Sequence, residues 1–345
     1  MTGDIVETTV VSIITEVTNS SWAGVPAKTI FFGGGTPTFL DQDQLLRIFD
    51  AVIETHPPIE GAEITSEANP GTVDQAKFAA MKRAGFNRIS LGAQSFQPNE
   101  LLRLGRVHQA DDVGRAVAAA REAGFSNINL DLMFALPNQN ITVWQQNLKK
   151  AISLNPTHLS LYCLTIEQNT AFYKQNLKGL LELPDEDCQV AMYEYALEAT
   201  AGAGYLQYEI SNFSKPELAC KHNLSYWQCE DYAGYGPGAV GCMEGVRYTN
   251  WKQPERYSEV ARSAKIGSDL SFPLAFETES LSESSRKIER IMLGIRLNQG
   301  IELQELDQVA VQKTIQKGWC EATDGYLRLT AEGRHFCTEV SLALI

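Results

Sequence analysis

Short apolar runs alternate with amphipathic stretches along the first 204 residues of the chain. The runs are rich in β-branched residues and nearly continuous in apolar character, which is typical of strands buried on both faces. They occupy residues 29–34, 62–68, 87–94, 127–136 and 158–166. The stretches between them have helical periodicity, so the alternation predicts parallel βαβ units and an α/β fold.

Capping residues and glycines indicate where the intervening helices begin and end. Asp41 precedes a helix predicted over 44–55, and Thr72 with Gln75 has the spacing of a capping box. Gly85 is expected to end this second helix. Three further helices are predicted over residues 111–121, 142–154 and 185–201.

The pattern changes after residue 204, so the chain is expected to comprise segments 1–204, 205–273 and 274–345. The middle segment is rich in Tyr, Trp and Gly, and predicts short strands and loops that complete a site built on the first. In the last segment a helix is predicted over 282–297. The apolar face of that helix comprises Ile288, Ile291, Met292 and Ile295.

A second helix before Gly318 and a hairpin in TDGYLRLTAEG make the last segment resemble a winged-helix unit. Winged helices often bind DNA. Residues 275–345, however, contain 8 Lys/Arg and 11 Asp/Glu, a net charge of −3. This charge favours a lid or docking role over nucleic-acid binding.

The composition excludes several classes of partner. A net charge of −13 over 345 residues repels phosphate backbones, which argues against nucleic acid. The sequence contains no run of 18 apolar residues and no signal-peptide pattern, so we expect no membrane-spanning segment, although peripheral membrane contact stays open. Seven cysteines without a CxxC pair indicate reduced thiols and a cytoplasmic location. No pattern specifies an oligomeric state.

Polar groups follow each of the five predicted strands. They include the Gly33–Gly35 turn with Thr36, then Glu67, Gln94, Asp131 and Thr165. Because ligands collect at the carboxyl ends of parallel strands, these groups predict one shared site. The alternative for the polar residues after any single strand is that they form an ordinary loop or tight turn.

The chemistry of this set suits an amino-acid-like nucleoside. Glycine amides and Thr36 can hold a carboxylate, and Glu67 can accept hydrogen bonds from an ammonium group. Gln94, Arg106 and Asp131 add groups that suit ribose hydroxyls. The set matches S-adenosylmethionine, whereas GGGTP has neither the P-loop nor the dinucleotide spacing.

Ordered motifs over nearly the whole chain carry a family resemblance. They are FFGGGTPTFL, EITSEANPGT, ISLGAQSF, LLRLGRVH, NINLDLMFALPNQ, HLSLYCLTIE, HNLSYW and LRLTAEG. In this order they resemble HemW, the haem-chaperone branch of the oxygen-independent coproporphyrinogen III oxidase family of radical-SAM proteins. The resemblance implies a partial (β/α)6 TIM-like barrel over 1–204, an α/β extension over 205–273 and a HemN-type winged-helix-like unit over 274–345.

The resemblance also implies cofactors, residue roles and partners. S-adenosylmethionine contacts fall on strand-exit residues, and HNLSYW matches a motif implicated in haem binding. The implied S-adenosylmethionine contacts are Gly34, Gly35, Thr36, Glu67, Gln94, Arg106, Asp131 and Thr165. His222 is the candidate haem ligand, since neutral imidazole commonly ligates iron; the alternative is a histidine that caps a loop beside Trp227. Haem-accepting proteins are the implied partners.

The chain departs from the family at the iron–sulfur cluster. Family members open with a strand and a CxxxCxxC loop whose thiolates bind a [4Fe–4S] cluster, and no CxxxCxxC occurs in this sequence. Met1 falls at the expected first helix, so the first barrel strand is expected to be missing, through a truncated gene model or a late start, rather than through a true lack of the cluster. The spacing Cys220-x-His222-x6-Cys229 is a weaker metal candidate.

Three functions therefore remain open on the sequence. The first is a HemW-like chaperone that binds haem and transfers it to acceptor proteins. The second is an oxygen-independent coproporphyrinogen III oxidase, which decarboxylates two propionates. The third is a cluster-free haem-binding paralogue. Product analysis separates the oxidase from the chaperone, and haem uptake without added iron or sulfide identifies the paralogue.

Overall fold

The centre of the protein is a sheet of seven strands. The computed structural model describes residues 3–263 and 274–345. The strands of the sheet are β1 (Ala27–Phe32), β2 (Pro58–Ala68), β3 (Arg88–Gln94), β4 (Asn127–Phe134), β5 (His158–Cys163), β6 (Leu206–Gln207) and β7 (Asn212–Ser214). Their order is β1-β2-β3-β4-β5-β7-β6, and the first five are parallel whereas β7 and β6 are antiparallel. The predicted α/β fold with parallel βαβ units is confirmed.

Three strands end earlier than predicted. β1 ends at Phe32, β4 at Phe134 and β5 at Cys163, whereas the apolar runs extend to residues 34, 136 and 166. Ala135 has a φ of 58° and Gly34 a φ of 77°, a left-handed conformation that a strand does not accommodate. The backbone therefore leaves the sheet before the apolar run is finished.

Helices precede, connect and follow the parallel strands, and the five whose bounds were predicted begin and end within about two residues of those bounds. They are α1 (Gly3–Thr18), α2 (Gln42–Thr55), α3 (Gln75–Ala84), α4 (Pro98–Arg103), α5 (Ala110–Glu122), α6 (Ile141–Ser153), α7 (Ala171–Asn176) and α8 (Glu186–Gly202). Asp41 caps α2 in a capping box with Gln44. The predicted Thr72–Gln75 box is wrong, because Asp74 accepts the bond from the Lys77 amide.

The apolar core lies between the sheet and its helices, while the opposite face of the sheet is polar. On β3, Ile89 and Leu91 are fully buried in the core. The alternate residues Arg88 and Ser90 are also buried, but they line a cavity on the other face. The prediction of strands buried on both faces holds, whereas the expectation of apolar character on both is wrong, because successive side chains point to opposite faces.

The segment after the large sheet builds a second, antiparallel sheet. It contains α9 (Lys221–Trp227), β8 (Val240–Met243), β9 (Val246–Asn250) and α10 (Pro254–Ser263), followed by β10 (Ala275–Ser280). The order β10-β9-β8 places β10, from the segment beginning at 274, in the sheet of the extension. The boundary expected at residue 273 lies outside the described residues.

The C-terminal unit has the helix and hairpin content predicted for it. It comprises α11 (Glu283–Gly294), β11 (Ile301–Glu302), α12 (Gln308–Gln316), β12 (Cys320–Thr323), β13 (Tyr326–Leu329) and α13 (Cys337–Leu344). Ile291 and Ile295 are buried in its own apolar core. Ile288 and Met292 of the predicted apolar face are exposed, because α11 turns only part of that face to the core. No described helix is long and apolar enough to cross a bilayer.

Candidate functional site

A cavity of about 400 Å³ lies on the polar face of the large sheet. Strands β1 to β5, the loops after them, β7 and helix α9 supply its walls. Seven of the nine site residues predicted from the sequence line this one cavity: Gly35, Thr36, Glu67, Gln94, Arg106, Asp131 and His222. The strand exits therefore converge as predicted.

The remaining two predicted residues are placed differently. Gly34 stands beside the cavity, and its backbone N–H is close enough to the Glu67 carboxylate to oppose the rise in the pKa of that group. Thr165 is exposed after the end of β5 and is not among the residues that line the cavity. Gly34 therefore lies at the site, whereas Thr165 lies outside it.

The glycine turn after β1 is shaped by its approach to Glu67. A Cβ on Gly33 would lie 2.4 Å from the Phe31 ring and 3.0 Å from the Glu67 carboxyl carbon. Gly34 has the left-handed φ that lets its amide face the carboxylate. The glycines therefore allow the backbone to contact an acidic side chain directly.

Glu67 is half-buried and has a perturbed titration. Burial raises its pKa to about 7; the Asp131 charge adds to the rise, while the Gly34 amide and the Arg106 guanidinium oppose it. A carboxyl group with a pKa near neutrality, in a cavity, is a functional-site candidate. Such a group binds a cation only when it is deprotonated.

Asp131 is held in place by a polar cluster. Ser90 Oγ donates to Asp131 Oδ2 at 3.1 Å, and Asn129 Nδ2 donates to Oδ1 at 2.7 Å. Burial raises the pKa of Asp131, and these hydrogen bonds oppose the rise. The carboxylate is thereby fixed in orientation beside the open volume of the cavity.

A buried chain of hydrogen bonds continues from Asn129. It leads to the part of the cavity lined by Arg88, His158 and Asn223, which we call its inner end. His158 Nδ1 donates to Asn129 Oδ1 at 2.7 Å, and the Tyr208 hydroxyl donates to His158 Nε2 at 2.9 Å. Asn223 Nδ2 donates in turn to the Tyr208 oxygen at 3.1 Å. Burial, together with the Arg88 charge, lowers the pKa of His158 well below its usual value, so this ring is neutral.

None of the residues in this chain of hydrogen bonds was predicted from the sequence, although a signal was present. Ser90, Asn129, His158 and Ser160 occupy alternate positions on β3, β4 and β5. Polar residues at period two inside otherwise apolar strands indicate a polar inner face. Treating the runs as continuously apolar concealed that pattern.

His222 lies in the first turn of α9, with both ring nitrogens engaged. Nδ1 is 2.8 Å from Thr29 Oγ1, and Nε2 is 3.1 Å from the Tyr226 hydroxyl. The ring stacks on Phe31, with a centroid separation of 4.9 Å. Burial lowers its pKa to about 4, so the imidazole is neutral. Its contacts are thus on β1 and α9, in a helix rather than in a loop beside Trp227.

Metal ligation finds no support in the cysteines of the described ranges. In residues 3–263 and 274–345, no three His, Cys, Asp or Glu side chains are grouped as ligands of one metal ion. Cys220 Sγ instead donates to Glu63 Oε1 at 3.2 Å. The carboxylates, the arginine and the polar groups that line the cavity suit a nucleoside such as S-adenosylmethionine by their chemistry, whereas the described cysteines do not group as ligands of a [4Fe–4S] cluster.

Comparisons with known proteins agree with this architecture. Residues 1–151 match the radical SAM superfamily model, and residues 286–336 match the HemN C-terminal domain. Coproporphyrinogen III oxidase (HemN) from Escherichia coli, described as a radical SAM enzyme, superposes with a TM-score of 0.82. The superposition covers 98% of this chain and 82% of that one, at 19% identity, which shows a shared fold. The predicted partial radical-SAM barrel is confirmed.

Relatives found by sequence are more similar to this chain in sequence than HemN is. The protein named Heme chaperone HemW from Bacillus subtilis is 35% identical over 325 residues, which cover 91% of this chain and 84% of the relative. HemW from Escherichia coli K12 is 38% identical over 323 residues, or 91% of this chain and 82% of the relative. Barrel, cavity and C-terminal unit together define a radical-SAM protein. Within that superfamily, whose members use S-adenosylmethionine and a [4Fe–4S] cluster, the chain belongs to the haem chaperone HemW family.

Proposed function

We propose that this protein binds S-adenosylmethionine in the cavity, binds haem beside α9, and transfers the haem to acceptor proteins. The proposal rests on one observation: a single cavity is lined on one side by the polar strand exits and on another side by helix α9. The strand exits contribute carboxylates, amides and Arg106, and α9 contributes a neutral imidazole between aromatic rings. Membership of the HemW family supports the choice of haem.

In the proposed S-adenosylmethionine site, the strand exits act by charge and hydrogen bonding. Glu67 accepts from the ligand's ammonium group, while the amides near Gly34 and Gly35, with Thr36, hold its carboxylate. Gln94, Arg106 and Asp131 contact the ribose hydroxyls. Thr165 was implied as a further contact, but its exposed position gives that role no support.

In the proposed haem site, His222 offers a neutral nitrogen. Nδ1 is tied to β1 through Thr29, so Nε2 is the atom available to iron once the Tyr226 hydroxyl moves away. The low pKa of the ring keeps the lone pair unprotonated at neutral pH. Burial thus prepares the imidazole as a ligand without a competing proton.

A haem titration of the full chain, followed by transfer, tests the proposal. We expect a Soret band at stoichiometric haem, and loss of that band when an apo-haem protein of higher affinity is added. No saturable Soret change with haem would contradict the proposal. Uptake without added iron or sulfide would further assign haem binding to these residues alone.

Oxidation of coproporphyrinogen III is the second candidate, because the fold is shared with HemN from Escherichia coli. Chromatography of the tetrapyrrole after incubation distinguishes the two. The chaperone returns its haem chemically unchanged, whereas the oxidase forms a product with two fewer carboxyl groups. The 19% identity to HemN, against 35–38% to the HemW proteins, favours the chaperone.

A further inference from the structure

Arg88 is a buried cation without an ionic partner. It is 2% exposed at the first position of β3, and it lines the cavity. Its Nε atom has no hydrogen-bond partner, and across residues 3–263 and 274–345 no carboxylate forms an ion pair with it. Burying a charged group in this state is strongly unfavourable.

The neighbouring protein carboxylates are engaged elsewhere. Glu63 Oε1 accepts from Cys220 Sγ at 3.2 Å and from the His222 amide at 3.1 Å, and Oε2 accepts from the Lys221 amide at 3.1 Å. Glu63 therefore holds the start of α9. Asp131 is similarly held by hydrogen bonds from strands β3 and β4.

The Arg88 charge reaches Asp131, where it opposes the rise in the pKa of that carboxyl, but no described group around Arg88 forms an ion pair with it. Burial, with a contribution from Arg88 itself, lowers the pKa values of His158 and His222, so both rings are neutral. Neither histidine adds positive charge, and neither can neutralise the guanidinium. The inner end of the cavity is thus positive, while Glu67 and Asp131 make the strand-exit end acidic.

We propose that Arg88 anchors a second subsite, at the inner end of the cavity, that binds a carboxylate of the ligand. A planar guanidinium pairs with a carboxylate through two parallel hydrogen bonds, and burial strengthens the pair. The inference rests on the proposed function and deepens it, because a porphyrin carries carboxylates on short flexible arms. Phe31, His222 and Tyr226 line the same cavity and give a flat ring system an aromatic wall.

The same chemistry has a second source, the carboxylate of S-adenosylmethionine. The porphyrin is favoured because the proposed S-adenosylmethionine site already assigns the amino-acid part of that ligand to Gly34, Thr36 and Glu67. A purely structural arginine would hold backbone carbonyls or a protein carboxylate, and the buried Nε of Arg88 holds neither.

Affinities of Arg88 variants for matched ligands test the subsite. The full-length wild type, Arg88→Met and Arg88→Lys are titrated with haem and with haem dimethyl ester, which lacks free carboxylates. We expect the wild type to bind haem about 10- to 100-fold more tightly than the ester, as for a hydrogen-bonded charge pair. Arg88→Met should bind both ligands with the wild-type affinity for the ester, and Arg88→Lys should fall between.

Thermal unfolding of the free protein gives a second readout. If Arg88 had a structural role, its replacement would lower Tm, which is the opposite of what we expect. Arg88→Met should unfold at the same or a higher temperature, because an uncompensated buried charge has been removed. A large fall in Tm for both Arg88→Met and Arg88→Lys would overturn the inference. Arg83→Met, at an exposed position on α3, is the control and should leave Tm and both affinities unchanged.

The outcomes separate the subsite from the proposed function. If the wild type binds haem and its ester equally, and Arg88→Met does the same, the subsite is refuted and haem binding stands. If the wild type binds neither, the proposed function fails. The subsite is then decided by S-adenosylmethionine against its decarboxylated form. A preference for the carboxylate form that Arg88→Met abolishes supports the subsite with that source, and equal affinities refute it.

Discussion

The hydroxyl of Tyr257 donates a 2.6 Å hydrogen bond to the carboxylate of Glu16, which joins α10 to the first helix. The Gly236 amide and Asn250 Nδ2 donate to the same carboxylate, each at 2.7 Å. One buried acidic side chain therefore connects α1, α10, β9 and the turn at residues 235–238. This contact region lies apart from the cavity.

Glu16 should make stability depend on pH. Burial raises its folded-state pKa to about 7, although the three hydrogen bonds oppose the rise. A carboxyl group with a raised folded-state pKa stabilises the protein below about pH 4.5, and that contribution is lost as pH rises through 7. A shift of this size corresponds to about 3 kcal/mol. Denaturant unfolding between pH 4.5 and 8 should therefore show a falling free energy of unfolding.

The Glu16→Gln variant checks the assignment of that slope. We expect most of the pH dependence between 4.5 and 7 to disappear, with a remainder from Glu67, whose pKa is raised in the same direction. Glu122→Gln, at an exposed position on α5, should retain the full slope. Equal slopes in the wild type and Glu16→Gln would contradict the prediction.

Glu67→Gln should weaken S-adenosylmethionine binding by about 10- to 100-fold, because a charge-assisted hydrogen bond to the ligand's ammonium group is lost. In the wild type, affinity should rise as pH increases through about 7, since only the ionised carboxylate attracts the cation. Calorimetric titration at pH 6 and pH 8 measures both effects.

The control for Glu67→Gln is Asp50→Asn, at an exposed position on α2. It should leave both the affinity and its pH dependence unchanged. A Glu67→Gln variant with wild-type affinity at pH 8 would remove Glu67 from the proposed site.

Asn129→Ala should destabilise the fold by about 2–4 kcal/mol. The change leaves His158 Nδ1 without its acceptor and Asp131 without one of its donors, and both groups stay buried. Urea unfolding measures the loss. The matched variant Asn176→Ala, at the exposed end of α7, should change stability by less than about 0.5 kcal/mol.

His222→Ala and Tyr226→Phe should affect haem binding in opposite directions. Without the imidazole, the Soret band should shift and the affinity should fall. Without the Tyr226 hydroxyl, Nε2 loses its 3.1 Å partner and is free for iron, so haem should bind several-fold more tightly. Absorption titrations of both variants give the answer, and an unchanged Soret band in His222→Ala would exclude this residue as the ligand.

Local spacing along the sequence predicted both α2 and α3, but it identified the capping residue of α2 alone. Asp41 was identified as a helix cap because a side chain three residues from its target forms the bond. Thr72 was assigned to a capping box by the same spacing, but Asp74 lies two residues further on and made the bond instead. The spacing rule therefore predicted α3 correctly but assigned its cap to Thr72 instead of Asp74.

The sequence by itself determined the order of strands and helices and the gathering of Glu67, Gln94 and Asp131, because parallel strands bring their carboxyl ends to one edge of the sheet. Only the tertiary structure decided which groups share the inner end of the cavity. Glu63 meets Cys220 across 157 positions of sequence, and that contact occupies the carboxylate nearest to the start of α9. Arg88 is left as an unpaired cation by this arrangement. Partners so distant are set by the packing of α9 against the sheet, which no periodicity along the chain encodes.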